Sequence, residues 1–327
     1  MKSLDQYWYS RNWVAITLLP LAMLFWVVSG LRRWSYRAGF KKTYKPPLPV
    51  IVIGNITVGG TGKSPLVAFL VKHLSDNGLK AGIVSRGYGG KAETWPQVVT
   101  PASDPRLVGD EAVMLANITR APVVVSPNRA EAVESLCNKY DVDLILSDDG
   151  LQHYALSRSL EIIVVDGKRQ FGNGWLLPSG PLRESLKRLE KSDLVIYSGI
   201  APSDEAHSMS YQSPRCRTLK AGKEVSFDEL KGDIVHAVAG IGDPQRFFDM
   251  LATLGLKVNG HAFPDHYQYS KGDLEFGDDK IVLMTEKDAV KCAHFGLDNI
   301  YVVSIEAQPD SAFLTKFDSK IQEVMCG

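Results

Sequence analysis

The sequence predicts an α/β fold: a parallel sheet covered by helices on both faces, a second, smaller α/β domain after it, and a membrane-associated helix before it. Three observations carry this prediction. From Val50 onward, short apolar runs rich in β-branched residues alternate with segments of helical period. A glycine-rich loop, GNITVGGTGKSP from Gly54 to Pro65, stands between one such run and one such segment. Near the start, WVAITLLPLAMLFWVVSGL from Trp13 to Leu31 contains no charged residue.

The first element is this uncharged run. A hydrocarbon core needs roughly 20 apolar residues, so the sequence leaves open a spanning helix and a helix lying in the interface, with a buried core helix as the remaining alternative. A cleaved signal peptide fits poorly, because the run is long and no small-x-small site follows it. Pro20 and the flanking Trp8, Tyr9, Trp26 and Trp34 suit either membrane reading, since indole and phenol rings favour the headgroup region. Arg32, Arg33, Arg37, Lys41, Lys42 and Lys45 follow the run, against Lys2 and Arg11 before it. The positive-inside rule therefore places the rest of the chain in the cytoplasm. Residues 1–40 form this first unit.

KKTYKPPLP, Lys41 to Pro49, reads as a linker because its prolines resist both helix and sheet. The predicted strands are Val50–Ile53, Ala81–Ser85, Val123–Val125, Leu144–Leu146, Ile162–Val165 and Leu194–Tyr197. Between them, SPLVAFLVKHLSDNG and NRAEAVESLCNKY are apolar at three- and four-residue intervals, as helices are. Continuous apolar strands indicate a sheet buried on both faces. A polar stretch, Ala201 to Arg217, interrupts the rhythm before DIVHAVAG, KIVLMTEKD and NIYVVSI resume it. We read residues 41–218 as a nucleotide-binding domain of P-loop NTPase type and residues 219–327 as the smaller α/β domain.

The 327 residues carry 37 basic and 37 acidic side chains, hence no formal net charge. A general nucleic-acid binder would show a basic excess, so nucleic acid is excluded as a partner. Cys137, Cys216, Cys292 and Cys326 form no C-x-x-C pair, which argues against zinc or a disulfide framework and suits a reducing cytoplasm.

A strand, a glycine-rich loop and then a helix is the context of a phosphate cradle. Glycines let backbone N–H groups turn inward without a Cβ clash, forming an anion nest at a helix start. The cradle spans Thr57, Gly59, Gly60, Thr61, Gly62, Lys63 and Ser64. Lys63 would contact the β- and γ-phosphates, and the Ser64 hydroxyl would ligate Mg²⁺. The general template G-x-x-x-x-G-K-[ST] calls for glycine at position 57, where this chain has Thr57. VDLILSDDGLQH adds Asp148 and Asp149 at the end of a predicted strand, the carboxyl edge where ligands bind and where a metal-ordering acid belongs.

Together, GNITVGGTGKSP, SRGYGG, GDEAVMLA, SPNRAEA, SDDGLQH, LPSGPLRES, AGIGDPQRFF, FPDHY and TEKDAVK resemble the tetraacyldisaccharide 4′-kinase family, the lipid A 4′-kinases. The resemblance runs from the uncharged segment through TEKDAVK, and that family usually has Ser or Thr where Thr57 stands. It implies ATP- and Mg²⁺-dependent phosphorylation of the 4′-hydroxyl of a tetraacylated glucosamine disaccharide 1-phosphate, giving lipid IVA, at the cytoplasmic face of the bacterial inner membrane. The acylated disaccharide and the membrane lipid are then the partners, and no protein partner is required. Carried over residue by residue, the resemblance puts Glu184 beside Asp148 and Asp149 as a site acid and makes Asp110 and His266 a base dyad. It places Arg86, Tyr88 and Arg129 near the phosphates or substrate. Tyr267 stands where some relatives carry a second histidine, which leaves His266 as the candidate.

The competing reading is a membrane-tethered P-loop ATPase or GTPase that switches or loads a partner protein; a non-catalytic adaptor retaining the nucleotide fold is a further alternative. NKYD, Asn138 to Asp141, matches the letters of a guanine-reading motif. It closes a helical stretch and precedes the strand carrying Asp148, whereas that motif belongs at the end of a late strand, so we read it as a chance match.

Overall fold

The computed structural model describes residues 4–326; Lys2, counted above among the flanking charges, lies outside them. The uncharged run does not make one helix. It gives α1 (Trp13–Thr17) and α2 (Leu19–Arg37), interrupted at Leu18, with Pro20 in the first turn of α2. Among the described residues, no helix is long and apolar enough to cross a membrane, which overturns the spanning alternative. The physical reason lies in the break and in composition: Pro20 suits a helix start better than a helix interior, and α2 ends on Arg32, Arg33 and Arg37 instead of more hydrocarbon. Both helices nonetheless leave Trp13, Met23, Leu24, Trp26, Val28 and Leu31 more than half exposed.

The first sheet is built from β1 (Val50–Gly54), β2 (Ala81–Ser85), β3 (Gln97–Val99), β4 (Val123–Val125), β5 (Leu144–Asp148), β6 (Leu160–Asp166), β7 (Leu194–Ser198) and β8 (Ser208–Tyr211). Its helices are α3 (Lys63–Asp76), the short α4 (Pro105–Val108), α5 (Asp110–Thr119) and α6 (Arg129–Lys139). Asn138 and Lys139 thus close a helix. The second sheet holds β9 (Arg215–Thr218), β10 (Glu224–Val225), β11 (Ile234–Ala239), β12 (Lys257–Ala262), β13 (Val282–Thr285) and β14 (Ile300–Ser304), with α7 (Pro244–Thr253) and α8 (Glu286–Cys292). The chain then returns to the first sheet as β15 (Ala307–Pro309), which pairs with β8, and ends in α9 (Ser311–Cys326).

The order in the nine-stranded sheet is β15-β8-β7-β6-β1-β5-β2-β4-β3, parallel from β8 to β4 with an antiparallel strand at each edge. The six-stranded sheet runs β10-β9-β14-β13-β11-β12. Strand membership departs from a division at residue 219 at both ends, since β9 starts at Arg215 and residues 307–326 rejoin the first sheet. The polar stretch 201–217, which lacks an apolar run, still supplies β8 and the start of β9 because both find pairing partners.

Alternation along β1 shows how the core forms. Ile51 and Ile53 face one side with Leu66 and Leu70 of α3, Leu115 of α5 and Phe313 and Phe317 of α9. Val50 and Val52 face the other with Ala132, Val133 and Leu136 of α6. Each fully buried side chain of this size contributes roughly 1.5–3 kcal/mol by leaving water. Such a core fixes the carboxyl edge, where β1 and β5 deliver the loop and the two aspartates.

Candidate active site

The loop after β1 is pinned in its first half and opens into a helix in its second. Thr57 forms an antiparallel bridge with Leu182. Val58 N–H donates to the Pro181 carbonyl at 2.9 Å, and Arg183 N–H donates to that of Ile56 at 2.7 Å. Paired like a strand, position 57 needs no glycine, and a β-branched threonine fits it. Glycine becomes obligatory further on. Gly62 caps α3 with φ +88°, and a Cβ there would stand 2.5 Å from Tyr211 Oη. Gly59 also has positive φ, +106°.

α3 begins at Lys63, whose ammonium lies 3.5 Å from Asp149 Oδ1. Arg183 donates to both Asp149 oxygens at 3.3 and 3.5 Å. Burial pushes the Asp149 carboxyl up, but Lys63 and Arg183 outweigh it and hold the group below its ordinary value. Asp148, the last residue of β5, is 1% exposed and meets the opposite fate. Burial, with help from the charges of Glu111 and Asp149 and against that of Lys63, raises its carboxyl to about 7. Two adjacent carboxyls are thus shifted in opposite directions. Asp148 Oδ1 and Thr61 Oγ1 are buried without a hydrogen-bond partner.

Among the described residues, no group of three or more His, Cys, Asp or Glu side chains converges as a metal cage. Mg²⁺ beside a nucleotide needs none, since it takes one or two carboxylates and completes its shell with phosphates and water. The orphaned buried oxygen of Asp148 and the Ser64 hydroxyl at the helix start are hard oxygen donors that fit it. Glu184 has one oxygen engaged and the other, Oε1, buried without a hydrogen-bond partner. Its carboxylate accepts from Tyr154 Oη at 2.6 Å and Arg33 Nη1 at 3.2 Å, with Arg188 Nε at 3.6 Å. It is engaged by cations and a phenol, one of them from α2.

The second half of the chain approaches from across a cleft of about 1840 Å³, lined by Gly59 to Ser64, Arg86, Tyr88, Asp149, His266 and Lys287 among others. Asp110 opens α5 and is 4% exposed. His266, held at φ +60° in the loop after β12, brings Nδ1 to 3.0 Å from both Asp110 oxygens. The Asp110 hydrogen bond raises the imidazole above its usual value, although burial and Lys287 oppose it. Burial raises the Asp110 carboxyl, but His266, Lys287 and Lys291 more than reverse this. The Tyr88 ring lies 5.0 Å from that of His266. Arg129 is 2% exposed, donates through Nη2 to the Asp148 carbonyl at 2.8 Å, and leaves Nε and Nη1 unpartnered. Burial lowers its guanidinium to about 10.

The structure therefore lines one cleft with the loop, Lys63, Asp149 and His266, joins His266 to Asp110, and gives Glu184 Oε2 to Arg33, Tyr154 and Arg188. Arg183 and Lys287 escaped the sequence reading. Both lie inside motifs already quoted, LPSGPLRES and TEKDAVK, beside or among acids that need cationic partners.

Comparison with known proteins finds relatives along almost the whole chain. The family described as tetraacyldisaccharide-1-P 4′-kinase, LpxK, matches residues 14–322. A tetraacyldisaccharide 4′-kinase of Nitrosococcus oceani is 47% identical over 318 residues, covering 97% of this chain and 94% of that protein. One of Methylobacillus flagellatus is 47% identical over 324 residues, covering 98% and 96%. The crystal structure of the "apo" form of LpxK from Aquifex aeolicus in complex with ATP superposes with a TM-score of 0.80 at 30% identity, covering 95% of this chain and 99% of that one. On these grounds the chain belongs to the tetraacyldisaccharide-1-P 4′-kinase family.

Proposed function

We propose that this enzyme transfers the γ-phosphoryl group of ATP to the 4′-hydroxyl of a tetraacylated glucosamine disaccharide 1-phosphate, giving lipid IVA for lipid A. The family membership supports the reaction. The observation that carries the mechanism is the contact of His266 with Asp110, His266 lining the same cleft as the phosphate loop. Phosphoryl transfer depends on positioning, charge neutralisation and a group that takes the acceptor's proton. The backbone from Gly59 to Gly62 cradles phosphate oxygens, and Lys63 spreads its charge over the transferring group. Asp110 accepts the Nδ1 proton of His266, which frees Nε2 to take the proton of the sugar hydroxyl as the oxygen–phosphorus bond forms and the bond to the β-phosphate oxygen breaks. Ser64, Asp148 and Asp149 would hold Mg²⁺, which would supply positive charge to the phosphates when bound.

The exposed face of α1 and α2, followed by its basic cluster, suits a helix lying in the headgroup region of a membrane, with the cleft on the cytoplasmic side. The substrate is lipid, so a surface-bound enzyme meets it directly, without a protein carrier.

Incubating the protein with γ-labelled ATP and the acylated disaccharide tests the proposal. The label is expected in the lipid. Label recovered only as free phosphate would instead favour a nucleotide-driven switch.

A further inference from the structure

Lys287, on the first turn of α8, is a cleft residue to which neither the phosphate loop nor the dyad assigns a task. Its ammonium donates to Glu111 Oε1 at 3.1 Å and to Asp265 Oδ1 at 2.9 Å. It also stands 3.5 Å from Nε2 of His266. Glu111 follows Asp110 in α5, and Asp265 precedes His266 in the other half of the chain. One side chain, 12% exposed, thus grips the neighbour of each dyad member.

An ammonium group has three N–H donors and no acceptor. With two donors spent on carboxylates, the third faces the imidazole. A ring nitrogen facing an N–H must present its lone pair, which leaves the ring proton on Nδ1, where Asp110 accepts it. We propose that Lys287 is a positioning residue for the dyad, tying α5 to the loop carrying His266 and keeping Nε2 unprotonated until the acceptor hydroxyl replaces the ammonium there. This rests on His266 being the base.

The surroundings of His266 leave this task to Lys287. Asp110 faces it from α5, Asp265 from its own loop, and Tyr88 from the segment after β2, while Glu111 pairs with Lys287. Lys291, one turn along α8, points instead to Asp288 at 2.8 Å and reaches Asp110 Oδ2 at 3.8 Å. Of these cations, Lys287 is the one beside Nε2. Its charge opposes protonation of the ring, the sense the inference requires.

The test is a pH titration of the full-length protein labelled with ¹⁵N-histidine, without nucleotide, reading the His266 ring in long-range ¹H–¹⁵N spectra assigned with His266→Ala. Neutral wild-type His266 should carry its proton on Nδ1. Lys287→Met should raise the midpoint by about half a pH unit, roughly threefold tighter proton binding, while Lys287→Arg, which keeps the charge, should stay near wild type. In turnover, Lys287→Met should lower kcat by about 10-fold and move its acid limb upward, with KM for ATP changed less than about twofold. A proton on Nε2 in the wild-type ring, or an unmoved midpoint in Lys287→Met, overturns the inference. The first readout needs no variant, so a Lys287→Met protein that fails to fold leaves the inference exposed. Normal turnover in His266→Ala would sink the base reading and leave the titration standing, so the two failures are separable.

Discussion

Nδ1 of His266 stands 3.0 Å from both carboxylate oxygens of Asp110, a residue 156 positions earlier in the chain. This one contact links the loop after β12 to the first residue of α5, and with it the two halves of the molecule. It defines the cleft as a site, because no element holding one of these residues also holds the other.

If the pair works as a unit, His266→Ala and Asp110→Ala should each lower kcat by roughly 10²- to 10⁴-fold, with ATP binding little changed. The double variant should be hardly worse than either single one, since removal of one member already disables the other. Losses that multiply in steady-state assays would assign the two residues separate tasks.

The pH dependence follows from the same bond. Because Asp110 raises the His266 value, catalysis by the neutral ring should fall off on the acid side at a pH above that of an ordinary histidine. The stabilising effect has the opposite sense: a raised value means extra stability below the unfolded-state value, lost as pH rises through the folded one. Denaturant melts of wild type and His266→Ala should therefore differ more near pH 5.5 than near pH 9. Equal differences at both would show that protonation does not strengthen the contact.

Gly62 and Gly60 sit two residues apart and should respond differently to alanine. A Cβ at Gly62 would stand 2.5 Å from Tyr211 Oη and 2.8 Å from Met209 Cε at φ +88°, whereas one at Gly60 meets nothing within 4 Å. Forcing alanine into the left-handed region alone costs about 1–2 kcal/mol. Gly62→Ala should lower Tm by several degrees and weaken ATP binding, while Gly60→Ala should leave Tm unchanged. Calorimetry of both proteins checks this.

Replacing Trp13 and Trp26 together by serine removes two exposed rings, 75% and 56% accessible, without touching the core. Vesicle sedimentation should weaken, and KM for the lipid should rise far more than KM for ATP. This substitution is cleaner than removing the helices, because Arg33 reaches Glu184 and truncation would disturb both. Undiminished sedimentation would place the membrane contact on another surface.

Local order was legible from sequence wherever a short stretch contains its own cause. The strands at Ala81–Ser85 and Val123–Val125 have the bounds that their apolar runs predict, because burial on both faces demands continuous hydrocarbon. The phosphate loop was likewise visible, since its glycines, Lys63 and Ser64 are neighbours in the chain. Arrangements between distant segments were decided only by the tertiary structure. Thr57 tolerates its place because Leu182 pairs with it, β8 forms because β7 and β15 flank it, and Glu184 meets Arg33 of the N-terminal helix. Asp148 and Asp149 look equivalent as letters, yet burial raises one carboxyl to about 7 while Lys63 and Arg183 hold the other below its ordinary value. Periodicity records which side of an element is apolar. Which charges meet across a cleft depends on the packing of whole sheets, and that brings His266, Lys287 and Asp110 together.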